Sequence, residues 1–374
     1  MSARGDPGQL FAGLMSGTSL DGVDAVLVDL ADKPRLISAH HLAFPTPLRE
    51  SLLALHESGH NEIDRAARLA NELSELYAVA VARLIEHSVI EHSVAGASNA
   101  VAAIGCHGQT VRHRPEKGYT VQLVNPSLLA ERTGITVVAD FRGRDVAAGG
   151  EGAPLVPAFH AHCFRDDRRH RVIVNIGGIA NVTDLPPEGA VRGFDTGPGN
   201  MLLDAWARSH LGRDYDRDGD FAAGGIVQEA LLSRMLADEF FRRAPPRSTG
   251  RDHFGAEWLR GFGIDAVAPA DVQATLAELT ARSIAGAIGE HCESATEVYL
   301  CGGGVHNRDL VSRLVRSLGG RRVESTEALG IHPDRVEATA FAWLAQRALR
   351  GEPGNLPSVT GARGLRVLGA IYHR

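Results

Sequence analysis

Long hydrophobic runs are missing from this sequence. No stretch approaches the roughly 18 apolar residues of a membrane span, so no membrane partner is expected. The polar start, with Gly5, Pro7 and Gly8, leads into an apolar stretch too brief for a secretory leader. Cysteine is scarce: Cys106, Cys163, Cys292 and Cys301 are scattered, with no Cys-x-x-Cys pair. That spacing argues against a disulfide framework or zinc knuckle and points to a reducing, cytoplasmic compartment. Positive charge is in deficit. Lys+Arg number 39 against 45 Asp+Glu, a net charge of -6, which argues against a nucleic-acid partner held by phosphate contacts. No lysine follows the first glycine-rich turn, so it is not a Walker A loop, and the 17 histidines form no His-Glu-x-x-His pattern.

Glycine, by contrast, is plentiful at 42 residues, while aromatics reach only 5%. That balance suits backbone that turns tightly and comes close to ligands. With 44% hydrophobic and 22% charged residues the chain is an ordinary globular one. At roughly 150 residues per domain, its 374 residues predict about two domains.

Residues 11–30, FAGLMSGTSLDGVDAVLVDL, read as strand, small polar turn, strand. Residues 172–185, VIVNIGGIANVTDL, repeat that pattern around Gly177-Gly178. After each hairpin comes helix-like sequence, then a strand ending in small residues: 101–105 before His107-Gly108-Gln109-Thr110, and 298–300 before Gly302-Gly303-Gly304. This weak duplication predicts two similar α/β domains facing each other across a cleft. Apolar spacing predicts helices over 62–86, over 271–290 with Asp271 as its cap, and over 335–350. The stretch 147–159 reads as a hinge-bearing crossover, and 365–372 as a strand or helix packing back on the body.

Several segments carry groups suited to chemistry. Ser16 to Gly22 place three hydroxyls, two glycines and a carboxylate in one turn. Its amides suit phosphate oxygens, and Asp21 or Asp24 suits a water-clad Mg²⁺; an ordinary tight hairpin uses the same residues. Asp195, in RGFDTGPGN before a helix-like run, is placed for general-base work or for capping that helix. Gly302–Gly304 suit a nucleotide laid on bare backbone, or a plain turn. His107, Gln109 and Thr110 suit sugar hydroxyls. Arg142 and Arg144, bracketed by Asp140 and Asp145, form either a carboxylate clamp or a surface ion-pair cluster. Glu337 opens the third helix, where an acid also favours the helix dipole.

The segments GLMSGTSLDGVDAVLVDL, IGCHGQTVRH, VADFRGRDVAAGGEGAPLVPAFH, VNIGGIANVT, GFDTGPGN, STGRDHF, CGGGVHN and VTGARG together resemble the anhydro-N-acetylmuramic acid kinases, in order and over nearly the whole chain. The resemblance implies an α/β fold of two similar ribonuclease-H-like (actin-type ATPase) domains flanking a cleft. One lobe is expected at 10–146 plus 355–372, the other at 147–354. It also implies an enzyme that uses ATP and water to convert 1,6-anhydro-N-acetylmuramic acid to N-acetylmuramic acid 6-phosphate and ADP, in peptidoglycan recycling. ATP and Mg²⁺ are the implied cofactors, an amino sugar the substrate, and a homodimer the implied assembly. On this likeness Asp195 is catalytic. ATP falls to Gly17, Thr18, Ser19, Leu20, Asp21, Gly22, Val23, Asp24, Gly197, Gly302 and Gly303. The sugar falls to Ser16, His107, Gln109, Thr110, Arg142 and Glu337, its lactyl carboxylate to Arg142 or Arg144, and Mg²⁺ to Asp21 through water. Glu151 departs from a Gln in the family pattern, and Gly143 stands where Arg is frequent. Two other functions use similar turns: a nucleotide switch of the actin or heat-shock type, and a metal-dependent carbamoyl transferase using His107 and His113.

Overall fold

The computed structural model describes residues 10–17, 19–92, 101–250 and 253–374. The chain divides into two units. The first runs to Phe159 and resumes for Arg335–Arg374; the second is His160–Asp334.

The first unit holds β1 (Leu10–Met15), β2 (Gly22–Asp29), β3 (Arg35–Ala43), β4 (Val101–Cys106), β5 (Gln109–Arg114), β6 (Tyr119–Leu123) and β7 (Val137–Ala139). Its main sheet runs β3-β2-β1-β4-β7, and the chain's last strand, Ala370–Tyr372, closes the far edge beside β7. The first three strands are antiparallel neighbours, while β4 lies parallel to β1 and β7 parallel to β4. In the second unit β8 (Arg171–Ile176), β9 (Ile179–Leu185), β10 (Arg192–Pro198), β11 (Glu297–Cys301) and β12 (Arg322–Ser325) repeat this order and these directions as β10-β9-β8-β11-β12. Three antiparallel strands followed by two parallel ones, in the order third, second, first, fourth, fifth, is the ribonuclease-H-like sheet. Its presence twice establishes the predicted duplication.

The central strands are buried on both faces, which explains their nearly unbroken apolar runs. The helix Glu62–His92 covers one side of the first sheet, with Leu69, Leu73, Tyr77, Ala80, Val81 and Leu84 in its core. The helix Val336–Leu349 covers β1 and β4. It lies very close because Gly13 and Gly105 pair across these strands, and a Cβ on either would strike the helix carbonyls of Ala338 or Phe341. This seating places residues 335–354 in the first unit, not in the second lobe where they were expected. Residues 147–159 also belong to the first unit, where Glu151 N–H donates to Thr360 O at 2.7 Å.

In the second unit the helix Pro269–His291 begins with Ala268 as N-cap. Asp271 does not cap it, because Pro269 starts the helix earlier. Its carboxylate instead accepts from Ile226 N–H and Gln228 Nε2.

Candidate active site

In the first unit the parallel strands β1 and β4 end together at Met15 and Cys106. The residues that follow them gather the first unit's candidate site residues. Ser16, buried after β1, shares a hydrogen bond of 2.8 Å with Tyr77 OH and donates to Gly108 O at 3.1 Å. Gln109 Nε2 donates to Gly17 O at 3.2 Å. The turn after β1 is thereby tied to the strand end beside it.

His107 and Arg142 form the centre of this group. Arg142 Nε and Nη2 both donate to His107 Nε2, at 3.1 and 2.9 Å, and Nη1 donates to Gly152 O at 2.8 Å. His107 Nε2 is therefore the acceptor, and its ring proton sits on Nδ1. Burial, with the Arg142 cation beside it, drives the His107 pKa well below the ordinary value, so the ring stays neutral. Burial lowers the Arg142 pKa to about 10, with Glu337 and Asp145 supporting the charge. Arg142 thus remains a cation at neutral pH, held in a fixed plane. Glu337 reaches this group because its helix is seated on Gly13 and Gly105. Arg144 is exposed and outside the cluster. Thr110 accepts from Gln122 Nε2 at 3.2 Å.

The turn at residues 16–22 is only partly what its sequence suggests. Leu20 and Val23 bury their side chains, leaving backbone as their means of contact. Asp24 is already engaged: Arg335 Nη1 donates to its Oδ1 at 2.7 Å, and His41 Nδ1 lies 3.1 Å away. Gly22 is required by packing, since a Cβ would enter the backbone of β3 at Leu42. Gly17 has no such reason, because a Cβ there would meet nothing nearer than Ser19 Oγ at 3.7 Å. Ser19 Oγ donates to Asp21 Oδ1 at 2.7 Å, and Asp21 is exposed. Thr18 lies outside the described residues.

Among the described residues no three His, Cys, Asp or Glu side chains gather to hold a metal ion. A single exposed carboxylate, Asp21, fits a Mg²⁺ that keeps its waters and is carried mainly by a nucleotide's phosphates. His113 Nδ1 is engaged with Thr120 Oγ1 at 2.9 Å, as His107 Nε2 is with Arg142, so neither ring presents both nitrogens.

In the second unit Asp195 stands on β10 itself and caps no helix. The register with β9 slips between Asp195 and Gly197, a bulge of the kind that re-aims side chains. Asp195 is half-buried, and Thr249 N–H donates to its Oδ2 at 2.9 Å. Burial raises its pKa to about 7, while the Thr249 amide and the Arg247 cation pull it back. A carboxyl poised there can take a proton at neutral pH.

Beyond Asp195 the loop Gly199-Asn200 interlocks with the Gly177-Gly178 turn: Gly199 N–H donates to Gly178 O at 2.9 Å and Asn200 N–H to Gly177 O at 2.8 Å. The Gly302–Gly304 turn packs onto the same edge. Gly302 has φ +80 and would strike Asn175 with any Cβ, whereas Gly303 is exposed, with only Asn200 Nδ2 at 3.8 Å. Gly197, at φ +134, is fixed by the Phe241 ring. Packing thus accounts for Gly197 and Gly302 and leaves Gly17 and Gly303 as bare, open backbone.

Sequence reasoning assigned no role to Arg247 or Thr249, although the latter lies in the STGRDHF segment. They sit 52 and 54 residues from Asp195, and no local pattern signals the contact. Asp145 was read only as half of an Asp–Arg bracket. It is fully buried, accepting from Gly152 N–H, Asn355 Nδ2 and Thr360 Oγ1.

A family model for anhydro-N-acetylmuramic acid kinase matches residues 9–374. The protein of that name from Nitrosospira multiformis is 54% identical over 365 residues, 97% of this chain and 98% of its own length. The protein of that name from Thiobacillus denitrificans is 53% identical over 369 residues, 97% of this chain and 96% of its own length. Among solved structures, (R)-2-hydroxyglutaryl-CoA dehydratase component A of Acidaminococcus fermentans superposes with a TM-score of 0.47 at 11% identity, covering 90% of this chain and 98% of that one. A likeness that distant adds nothing to the functional reading. The chain belongs to the anhydro-N-acetylmuramic acid kinase family.

Proposed function

We propose that this kinase uses ATP and water to open 1,6-anhydro-N-acetylmuramic acid and phosphorylate its O6, giving N-acetylmuramic acid 6-phosphate and ADP. The substrate's chemistry sets the requirements. Its anhydro bridge joins C1 to O6, so O6 has no proton to lose. O6 accepts a phosphoryl group only as the C1–O6 bond breaks and water attacks C1. The water proton passes to a base, the O6–Pγ bond forms, and the bond between Pγ and the β,γ-bridging oxygen breaks to release ADP.

Asp195 is the base in this reading, and it is the observation that carries it. One carboxylate oxygen is held by Thr249 N–H, and its pKa of about 7 suits proton uptake near neutrality. The same charge favours the oxocarbenium character that builds at C1 as the bridge opens. The open backbone at Gly17 and Ser19 in the first unit, and that at Gly303 in the second, are assigned to the nucleotide; Asp21 would hold Mg²⁺ through water, and the ion would neutralise phosphate charge. Phosphoryl transfer asks the protein mainly for position and charge stabilisation, which such turns supply. Arg142, planar and fixed by His107 and Gly152, is assigned the lactyl carboxylate in preference to exposed Arg144. Ser16, Gln109, Thr110 and Glu337 take the sugar's hydroxyl and amide groups.

The test is mass spectrometry of the product formed from anhydro sugar, ATP and Mg²⁺, with ADP release followed in parallel. ADP release that depends on the sugar and yields a phosphorylated, hydrated sugar supports the reading. ADP release at the same rate without sugar contradicts it and favours a nucleotide switch.

A further inference from the structure

We propose that Arg247 is a positioning residue for Asp195, acting through the strap Arg247-Ser248-Thr249. The proposal rests on the reading of Asp195 as the base. Arg247 is fastened to the peptide of Asp195 in both directions. Asp195 N–H donates to Arg247 O at 3.1 Å, and Arg247 Nε donates back to Asp195 O at 3.0 Å. The other end of the guanidinium is anchored at the C-terminal end of the short helix Glu239–Arg242. There Nη1 donates to Phe241 O at 3.1 Å and Arg243 O at 2.6 Å. The cation also lies over two rings, 5.6 Å from the centre of Phe194 and 5.1 Å from that of Phe240. One side chain therefore locks the strap onto β10 at the residue whose carboxylate matters.

Two residues along the strap, Thr249 N–H meets Asp195 Oδ2 at 2.9 Å. Among the described residues no group bonds Oδ1, so Oδ1 is the oxygen left to face a water. The strap thus fixes which oxygen takes the proton. Its amide and the guanidinium charge both favour the ionised carboxylate, against the burial that disfavours it. Among the described residues, the other titratable groups that act on Arg247 are Glu290 and His291, at the end of the helix Pro269–His291.

A plain structural staple and a positioning residue differ in pH behaviour. Arg247→Met, as the full-length protein with ATP, Mg²⁺ and anhydro sugar, is assayed across the pH range beside its melting temperature and nucleotide binding. The acid limb of kcat/KM is expected to move up by about one pH unit, so that activity falls about tenfold near pH 6 and recovers in alkaline buffer. KM for ATP is expected to stay close to the parent's. A folded variant whose acid limb does not move overturns the proposal, whether or not activity drops evenly at every pH. Should Arg247→Met not fold, Arg247→Lys keeps a cation but not the fork. Its limb is also expected to rise, and an unmoved limb overturns the proposal. Asp195→Asn runs in parallel. Retained nucleotide binding with turnover lost by several orders of magnitude upholds the base, and near-parental turnover overturns base and strap together. An inactive Asp195→Asn beside an unmoved Arg247→Met limb removes only the role of Arg247.

Discussion

At Asp195 the same burial that makes a useful base makes a costly charge. Its folded pKa of about 7 stands above the ordinary 3.8, so the folded protein holds a proton there that the unfolded chain has released. The stability tied to that proton is fully present below pH 3.8 and is lost as pH rises through about 7. Asp195→Asn keeps an acceptor oxygen for Thr249 N–H and removes the charge. It is therefore expected to melt at a higher temperature than the parent at pH 8, with the gap closing toward pH 4; thermal unfolding at the two pH values checks this. A variant that melts no higher at pH 8 would mean the carboxylate is well solvated in the fold. That this aspartate is a candidate was legible in the sequence, because GFDTGPGN sets a lone acid among glycines. Its setting was not. Read locally, an Asp before a helix is a cap. The long-range strap from Arg247 to Thr249 is what gives it a different environment, and contacts 52 and 54 residues apart leave no periodic trace.

At the scale of elements, two glycines decide where Glu337 stands. Gly13 and Gly105 clear a path for the helix Val336–Leu349, and Glu337 rides in its first turn. Gly105→Ala puts a methyl group into the Phe341 carbonyl, which is backbone and cannot rotate away. The helix must shift, at an expected cost of about 3 kcal/mol, as for overpacked cores. Urea unfolding measures that loss, and a higher KM for the sugar should accompany it as Glu337 is displaced. An unchanged midpoint would show that the helix accommodates the methyl. The helices themselves were readable from apolar spacing: the three predicted ones appear as Glu62–His92, Pro269–His291 and Val336–Leu349. What spacing could not reveal is which sheet a helix joins. Val336–Leu349 is apolar on most of its surface, and its partner is chosen by the two glycines far upstream. Asp271 was misread for a related reason. An acid in a first turn looks like a cap until its bonds to Ile226 and Gln228 are seen.

For the whole molecule, the duplication was the deepest feature the sequence disclosed. Hairpin, glycine turn and a later strand ending in small residues occur twice, and the structure turns each set into a sheet of the same order. The limits of the units were only half legible: the chain leaves the first unit after Phe159, at the end of the glycine- and proline-rich stretch 147–159, but no comparable stretch marks its return at Arg335. Glycine count also misled in part. Gly197 and Gly302 satisfy packing and backbone geometry, and only positions such as Gly17 and Gly303 leave backbone open for a ligand. The first unit carries the turn at residues 16–22 and the buried His107–Arg142 cluster, and the second carries Asp195 and the open glycine turn at Gly303.

The central claim is that a water deprotonated by Asp195 adds to C1 while the phosphoryl group moves to O6. Turnover in ¹⁸O-water, quenched early and read by mass spectrometry before the anomeric hydroxyl exchanges, tests it most directly. The account requires the heavy oxygen on C1 and none on the phosphate. Heavy oxygen on phosphate, with C1 unlabelled, would contradict it.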